Sequence, residues 1–204
     1  MKYGLTSPEE RIFKSLNTPV KIQNFLDALP MNFEEYGDTL KSPRFVLQDK
    51  TAHCLEGALL AAAVLWYHGQ EPLLLDIQST REDWDHVVTL FNHRGRWGAI
   101  SKTNHAVLRY REPVYRTYHE LAMSFFHEYF LPENGKKTMR AYSKPFNLKK
   151  LGTSWITAPS NLWSLSGKLD SSPHIKVTTP RLTRFFRKAD PIELKAMKIV
   201  EWKE

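Results

Sequence analysis

Cys54 is the only cysteine in the 204-residue chain, and it stands directly before an apolar, helix-forming run, Leu55 to Tyr67. A thiol at the first turn of a helix meets unpaired backbone N–H groups and the positive end of the helix dipole, and both favour the thiolate. A lowered thiol pKa is what a nucleophilic cysteine requires. Further along, His86 opens the stretch His86–Phe91 (HVVTLF), just after the acidic run Glu82-Asp83-Trp84-Asp85. A strand-borne imidazole facing a helix-start cysteine suits a thiolate–imidazolium pair. That pair performs acyl transfer with neither a metal nor an organic cofactor. Among the other histidines, His53 adjoins the cysteine, His68 sits at the far helix end, His93 lies in a turn, and His119 and His127 fall on a later helix. Besides His86, only His105 is otherwise placed to converge on Cys54. The alternative for Cys54 is a small buried hydrophobe, a common fate of free cysteines.

The elements that must position these groups follow from pattern. Ser7-Pro8-Glu9-Glu10 and Thr18-Pro19 read as two helix starts, and Pro30 ends the second run. Residues 31–50 are polar and turn-rich and read as a long loop. Residues 54–68 are apolar on nearly every face, so this helix is expected to be central and buried, with Gly69 as its stop. Pro72–Ile77 and His86–Phe91 read as strands. Asn92–Arg96 is a hairpin turn, Trp97–Ile100 its returning strand, and residues 117–130 another helix. Beyond residue 132, proline, glycine, serine and lysine become more frequent. A hairpin around 162–178 and a final helix near 191–198 are the elements expected there. The fold class is therefore α+β. A buried central helix packs on a small antiparallel sheet within residues 1–135, and residues 136–204 form a basic C-terminal extension packed on that core.

The order of these motifs resembles the transglutaminase-like, or papain-like, cysteine hydrolase superfamily. Cys54-Leu55-Glu56-Gly57-Ala58 resembles its cysteine box, Asp85-His86-Val87-Val88 its histidine box, and Gly95-Arg96-Trp97 the hairpin before its third catalytic residue. The match covers roughly residues 45–105. It implies a papain/transglutaminase-like core in which Cys54 is the nucleophile and His86 the proton shuttle. Where the superfamily carries an aspartate, this chain has Ser101, and the nearest amide is Asn104. A hydroxyl can orient an imidazole but supplies no charge. Hairpin pairing sums near 187–188 would set His86 opposite position 101 or 102, which favours Ser101. The resemblance also offers Gln48, six residues before Cys54, as an oxyanion donor.

Composition narrows the function classes. A lone cysteine excludes an internal disulfide and leaves no cysteine-based zinc site. No apolar run reaches the roughly 18 residues of a membrane span. Residues 1–14 carry Glu9 and Glu10 and no signal-peptide stretch, so the chain reads as cytoplasmic. The net charge of +7 is uneven. Residues 136–204 hold 15 Lys/Arg against 5 Asp/Glu, a net of +10, while residues 1–135 net −3. Three classes follow. The first is cysteine-dependent acyl transfer on a peptide or amide, as a peptidase, amidase or transglutaminase-like enzyme. The second is a non-catalytic binding module of the same fold that uses its basic C-terminal face. The third is nucleic-acid binding by residues 136–204, although no nucleic-acid motif accompanies their charge. No membrane partner is expected, and the oligomeric state stays open.

Overall fold

The molecule, a computed structural model, is described over residues 2–203. Helices α1 (Ser7–Ser15) and α2 (Pro19–Asp27) each carry proline in the first turn, and Thr6 and Thr18 cap them. The cap of α1 is thus one residue earlier than the expected Ser7, because Thr6 closes a capping box with Glu9. The expected loop 31–50 contains a third helix, α3 (Pro43–Asp49). Its seven residues are too few to show an apolar period, but Ser42-Pro43 starts it and a left-handed Lys50 (φ 57°) ends it.

Helix α4 (Cys54–Tyr67) lies at the centre, and every residue from Glu56 to Leu65 is buried. The strands are β1 (Leu73–Gln78), β2 (His86–His93), β3 (Arg96–Ile100) and β4 (Arg111–Tyr115). Arg94 and Gly95, both at positive φ, make the two-residue turn between β2 and β3. In place of the expected 117–130 helix, α5 (Tyr118–Met123) stops early and a 3-10 turn follows at Phe126–Glu128. The last stretch brings β5 (Ala141–Ser143), β6 (Phe146–Asn147), α6 (Trp163–Asp170), β7 (His174–Lys176), α7 (Pro180–Thr183) and α8 (Pro191–Met197).

All strand pairs are antiparallel, in the order β4-β3-β2-β1-β5-β7, with β6 also paired to β1. The fold is thus mixed helix and antiparallel sheet. Residues 136–204 do more than pack on this sheet, because they contribute β5, β6 and β7 to it. The hairpin expected over 162–178 is instead α6 followed by β7, which pairs with β5. Side chains alternate between two cores by the strand period of two. Leu74, Val87 and Phe91 pack with α4 on one face, while Leu75, Val88 and Leu90 meet α5 on the other. The Thr89 hydroxyl donates to the Ala58 carbonyl at 2.5 Å and ties β2 to α4.

Ala62 is fully buried on α4, within an apolar cluster. Ala62→Glu would place a carboxylate there with no donors to meet it. The expected loss is at least about 3 kcal/mol, a large part of a domain's stability. A melting curve should show no cooperative transition near that of the unmutated protein.

Candidate active site

The site begins at the first turn of α4. Cys54 is its first residue, half-buried, and His53 is the cap. The Cys54 sulfur lies within hydrogen-bonding reach of both the His53 and the His86 rings. Burial alone would push this thiol up. The two imidazoles, by hydrogen bond and by charge, outweigh that and hold it at about 5. His53 responds in the opposite sense. Burial would lower it, but Cys54, Glu56 and the Thr39 carbonyl raise it to about 9. At neutral pH the pair is therefore a thiolate beside an imidazolium. His53 Nε2–H donates to the Thr39 carbonyl at 3.1 Å and stands 3.5 Å from a Glu56 oxygen. Sequence reasoning passed over His53 as a mere neighbour. The available signal was a histidine in the cap position of a helix whose third residue is glutamate.

His86 opens β2, paired with Ile77 of β1, and is 6% exposed. Its Nε2 lies 2.8 Å from Ser101 Oγ. Ser101 Oγ also donates to the Leu108 carbonyl at 2.6 Å. A hydroxyl has one proton, and here it is committed to Leu108. Toward His86 the oxygen can only accept, so Nε2 carries a hydrogen. That assignment leaves Nδ1 as the nitrogen whose lone pair can take the Cys54 proton.

The hairpin register differs from the expected one. Thr89 faces Ile100, a pairing sum of 189, and the ladder ends there. Ser101 meets His86 because the chain leaves the sheet after Ile100. Gln23 of α2 fixes that departure by gripping both sides of the Ser101 backbone: Ser101 N–H donates to Gln23 Oε1 at 2.9 Å, and Gln23 Nε2 donates to the Ser101 carbonyl at 2.8 Å. The next residue, Lys102, is fully buried and donates to the Leu29 carbonyl. Its stem crosses Gly57, where an added Cβ would lie 2.6 Å from Lys102 Cβ. Glycine at position 57 is what lets the Ser101–Lys102 segment lie against α4.

Two expected site residues are not brought to His86, although Asn104 does line the cavity. Gln48 is exposed near the end of α3 and lines no part of the cavity, so it is not an oxyanion donor. The unexpected α3 turns that offset toward solvent. Asn104 is engaged with the chain end: its Nδ2 donates to the Trp202 carbonyl at 2.9 Å, and Trp202 N–H donates to its Oδ1 at 2.8 Å. It is therefore unavailable to His86. His105 is likewise occupied, with Nδ1 donating to the Met197 carbonyl at 2.9 Å.

Cys54, His53 and His86 open onto a cavity of about 590 Å³. Trp84 and Trp163 stand exposed at its edge. Six carboxylates line it (Glu34, Asp38, Asp76, Asp83, Asp85 and Asp170), against the single lysine Lys102. Asp76 is buried and bonds His174 Nε2 at 3.0 Å. Burial, and then the charges of Asp85 and Asp170, push its carboxyl up to about 6 in spite of that bond. Among the described residues no group of histidines, cysteines and carboxylates could hold a metal ion. Five of the fifteen cations of the last third gather elsewhere: Lys136, Lys137, Arg140, Arg184 and Lys188 line a second, smaller cavity. Lys136 there is paired with Glu82, and Lys137 donates to the His127 carbonyl.

No protein-family model matches the chain, and no curated protein does. The reading of the site therefore rests on its geometry. No helix among the described residues is long and apolar enough to cross a membrane.

The folded-state thiol value of about 5 lies below the ordinary 9. The thiolate should thus persist as pH falls, until about 5, where the sulfur regains its proton. Iodoacetamide should alkylate Cys54 at a rate that rises through pH 5 and is flat by pH 7. His86→Ala removes one of the two donors and should move the inflection upward.

Proposed function

We propose that the protein is a cysteine-dependent acyl-transfer enzyme with a papain/transglutaminase-like core, acting on a peptide or amide. The observation that carries this reading is the Cys54 sulfur between two imidazoles at the start of a buried helix, open to a cavity. The Cys54 thiolate attacks the amide carbonyl carbon and forms a C–S bond, and the carbonyl π electrons move onto oxygen. The Cys54 backbone N–H at the helix start and the His53 imidazolium are the donors this reading assigns to that oxyanion. His86, protonated at Nδ1, gives its proton to the leaving nitrogen as the C–N bond breaks. A thioester remains. Water or a primary amine then attacks it, His86 Nδ1 takes the proton from that nucleophile, and Cys54 leaves as thiolate. The acidic cavity wall favours substrates that are neutral or cationic around the reacting amide. In this reading Ser101 is a positioning residue that holds the His86 tautomer.

An activated ester, p-nitrophenyl acetate, tests the acyl step. The expected result is a stoichiometric burst of nitrophenolate, acetylation of Cys54 seen by mass spectrometry, and steady turnover. Cys54→Ala should abolish all three, and His86→Ala should slow acylation about a hundredfold or more. Hydroxylamine should capture the acyl group as a hydroxamate. Absence of any burst from the folded protein would favour a non-catalytic binding module of the same fold.

A further inference from the structure

Ser101 can hold His86 only if its own proton is held, and that depends on the Leu108 carbonyl. Leu108 lies between β3 and β4, outside any strand, and is nearly buried with φ 59°. This left-handed conformation is unfavourable for a leucine and persists only where the surroundings impose it. The restraint is visible on the other side of the residue. Leu108 N–H donates to Glu128 Oε2 at 2.6 Å. Glu128, the last residue of the 3-10 turn after α5, is paired in turn with Arg111 Nη2 of β4 at 2.7 Å. Arg111 is itself fixed, with Nε donating to Ser124 Oγ at 3.0 Å and its guanidinium 4.1 Å from the Phe125 ring centre.

We propose that Glu128 is a positioning residue for His86, acting through the Leu108 backbone and the Ser101 hydroxyl. The N–H and C=O of Leu108 lie in adjoining peptide planes, related only by its φ and ψ. With the N–H held by Glu128 and the residue confined to the left-handed region, which limits ψ as well as φ, the direction of the carbonyl is set. The carbonyl takes the Ser101 proton, Ser101 accepts from His86 Nε2–H, and Nδ1 is left as the base at Cys54. Glu128 thus acts by geometry, two hydrogen bonds behind Ser101, and not as a charge against the imidazole. The inference rests on the Cys54–His86 reading of the site.

The rate of Cys54 alkylation by iodoacetamide, measured against pH, separates the outcomes. Glu128→Ala should raise the inflection and slow alkylation at pH 5 roughly threefold to thirtyfold. Glu128→Gln keeps an oxygen for Leu108 N–H and should behave like the unmutated protein. Glu128→Asp keeps the charge but is one methylene short, and should behave like Glu128→Ala. In a Ser101→Ala background, Glu128→Ala should add nothing, since the link it acts through is gone. Equal slowing in both backgrounds, or the reverse order of Gln and Asp, would overturn the proposal. So would unchanged alkylation in a folded Glu128→Ala or Glu128→Asp variant. Failure of the underlying reading shows earlier and separately, as an ordinary thiol profile in the unmutated protein.

Discussion

The carboxylate of Glu56 has no exposure to solvent, and much of the site follows from that. A buried charge must have its lone pairs met by donors. Four donors do so here: Asn32 Nδ2 at 2.9 Å, Thr39 Oγ1 at 2.9 Å, Lys41 N–H at 2.8 Å and His53 N–H at 3.1 Å. Glu56 is anchored in α4, and α4 is anchored in the core, so the donors must come to it. Segment 32–41 accordingly wraps over the helix start and becomes one wall of the cavity. The same carboxylate stabilises the His53 imidazolium, and that imidazolium stabilises the thiolate. Taken alone, an acid two residues from Cys54 should oppose ionisation. Acting through His53, it promotes it.

Much of this was legible in the sequence. The run from Cys54 to Tyr67 has no polar face, and burial of that helix follows directly. The β2–β3 turn announced itself through Gly95 after Arg94, and the approach of His86 to Cys54 was expected from the order of elements. Three kinds of information were not local and could not be read off. The first is the role of short polar helices: Gln23 on α2 grips Ser101 across 78 residues of chain, and nothing in its sequence neighbourhood marks it. The second is register. A miscount of one in the pairing sum reverses the faces of a strand, and a miscount of two keeps the faces but gives each residue the wrong partner. Ser101 escaped that error only because it lies past the end of the ladder. The third is sheet membership. The three strands of the last third are two or three residues long, too short to show alternation, and their pairing with β1 and one another is what places them.

The serine at position 101 makes physical sense once its two partners are considered together. His86 Nε2–H needs an acceptor, and the Leu108 carbonyl, 2.6 Å away, needs a donor. A hydroxyl is the smallest group that is both at once. An ionised carboxylate is acceptor only, and at this position it would set its lone pairs against those of the carbonyl. The neutral residue behind His86 and the left-handed Leu108 therefore belong to one arrangement. With no charge behind the imidazole, stabilisation of the thiolate has to come from another direction. It comes from the front, through the buried Glu56 and the His53 that it keeps protonated. The negative charge that supports the thiolate is thus buried in the cysteine's own helix, one residue beyond Leu55, and reaches the sulfur through the residue before it.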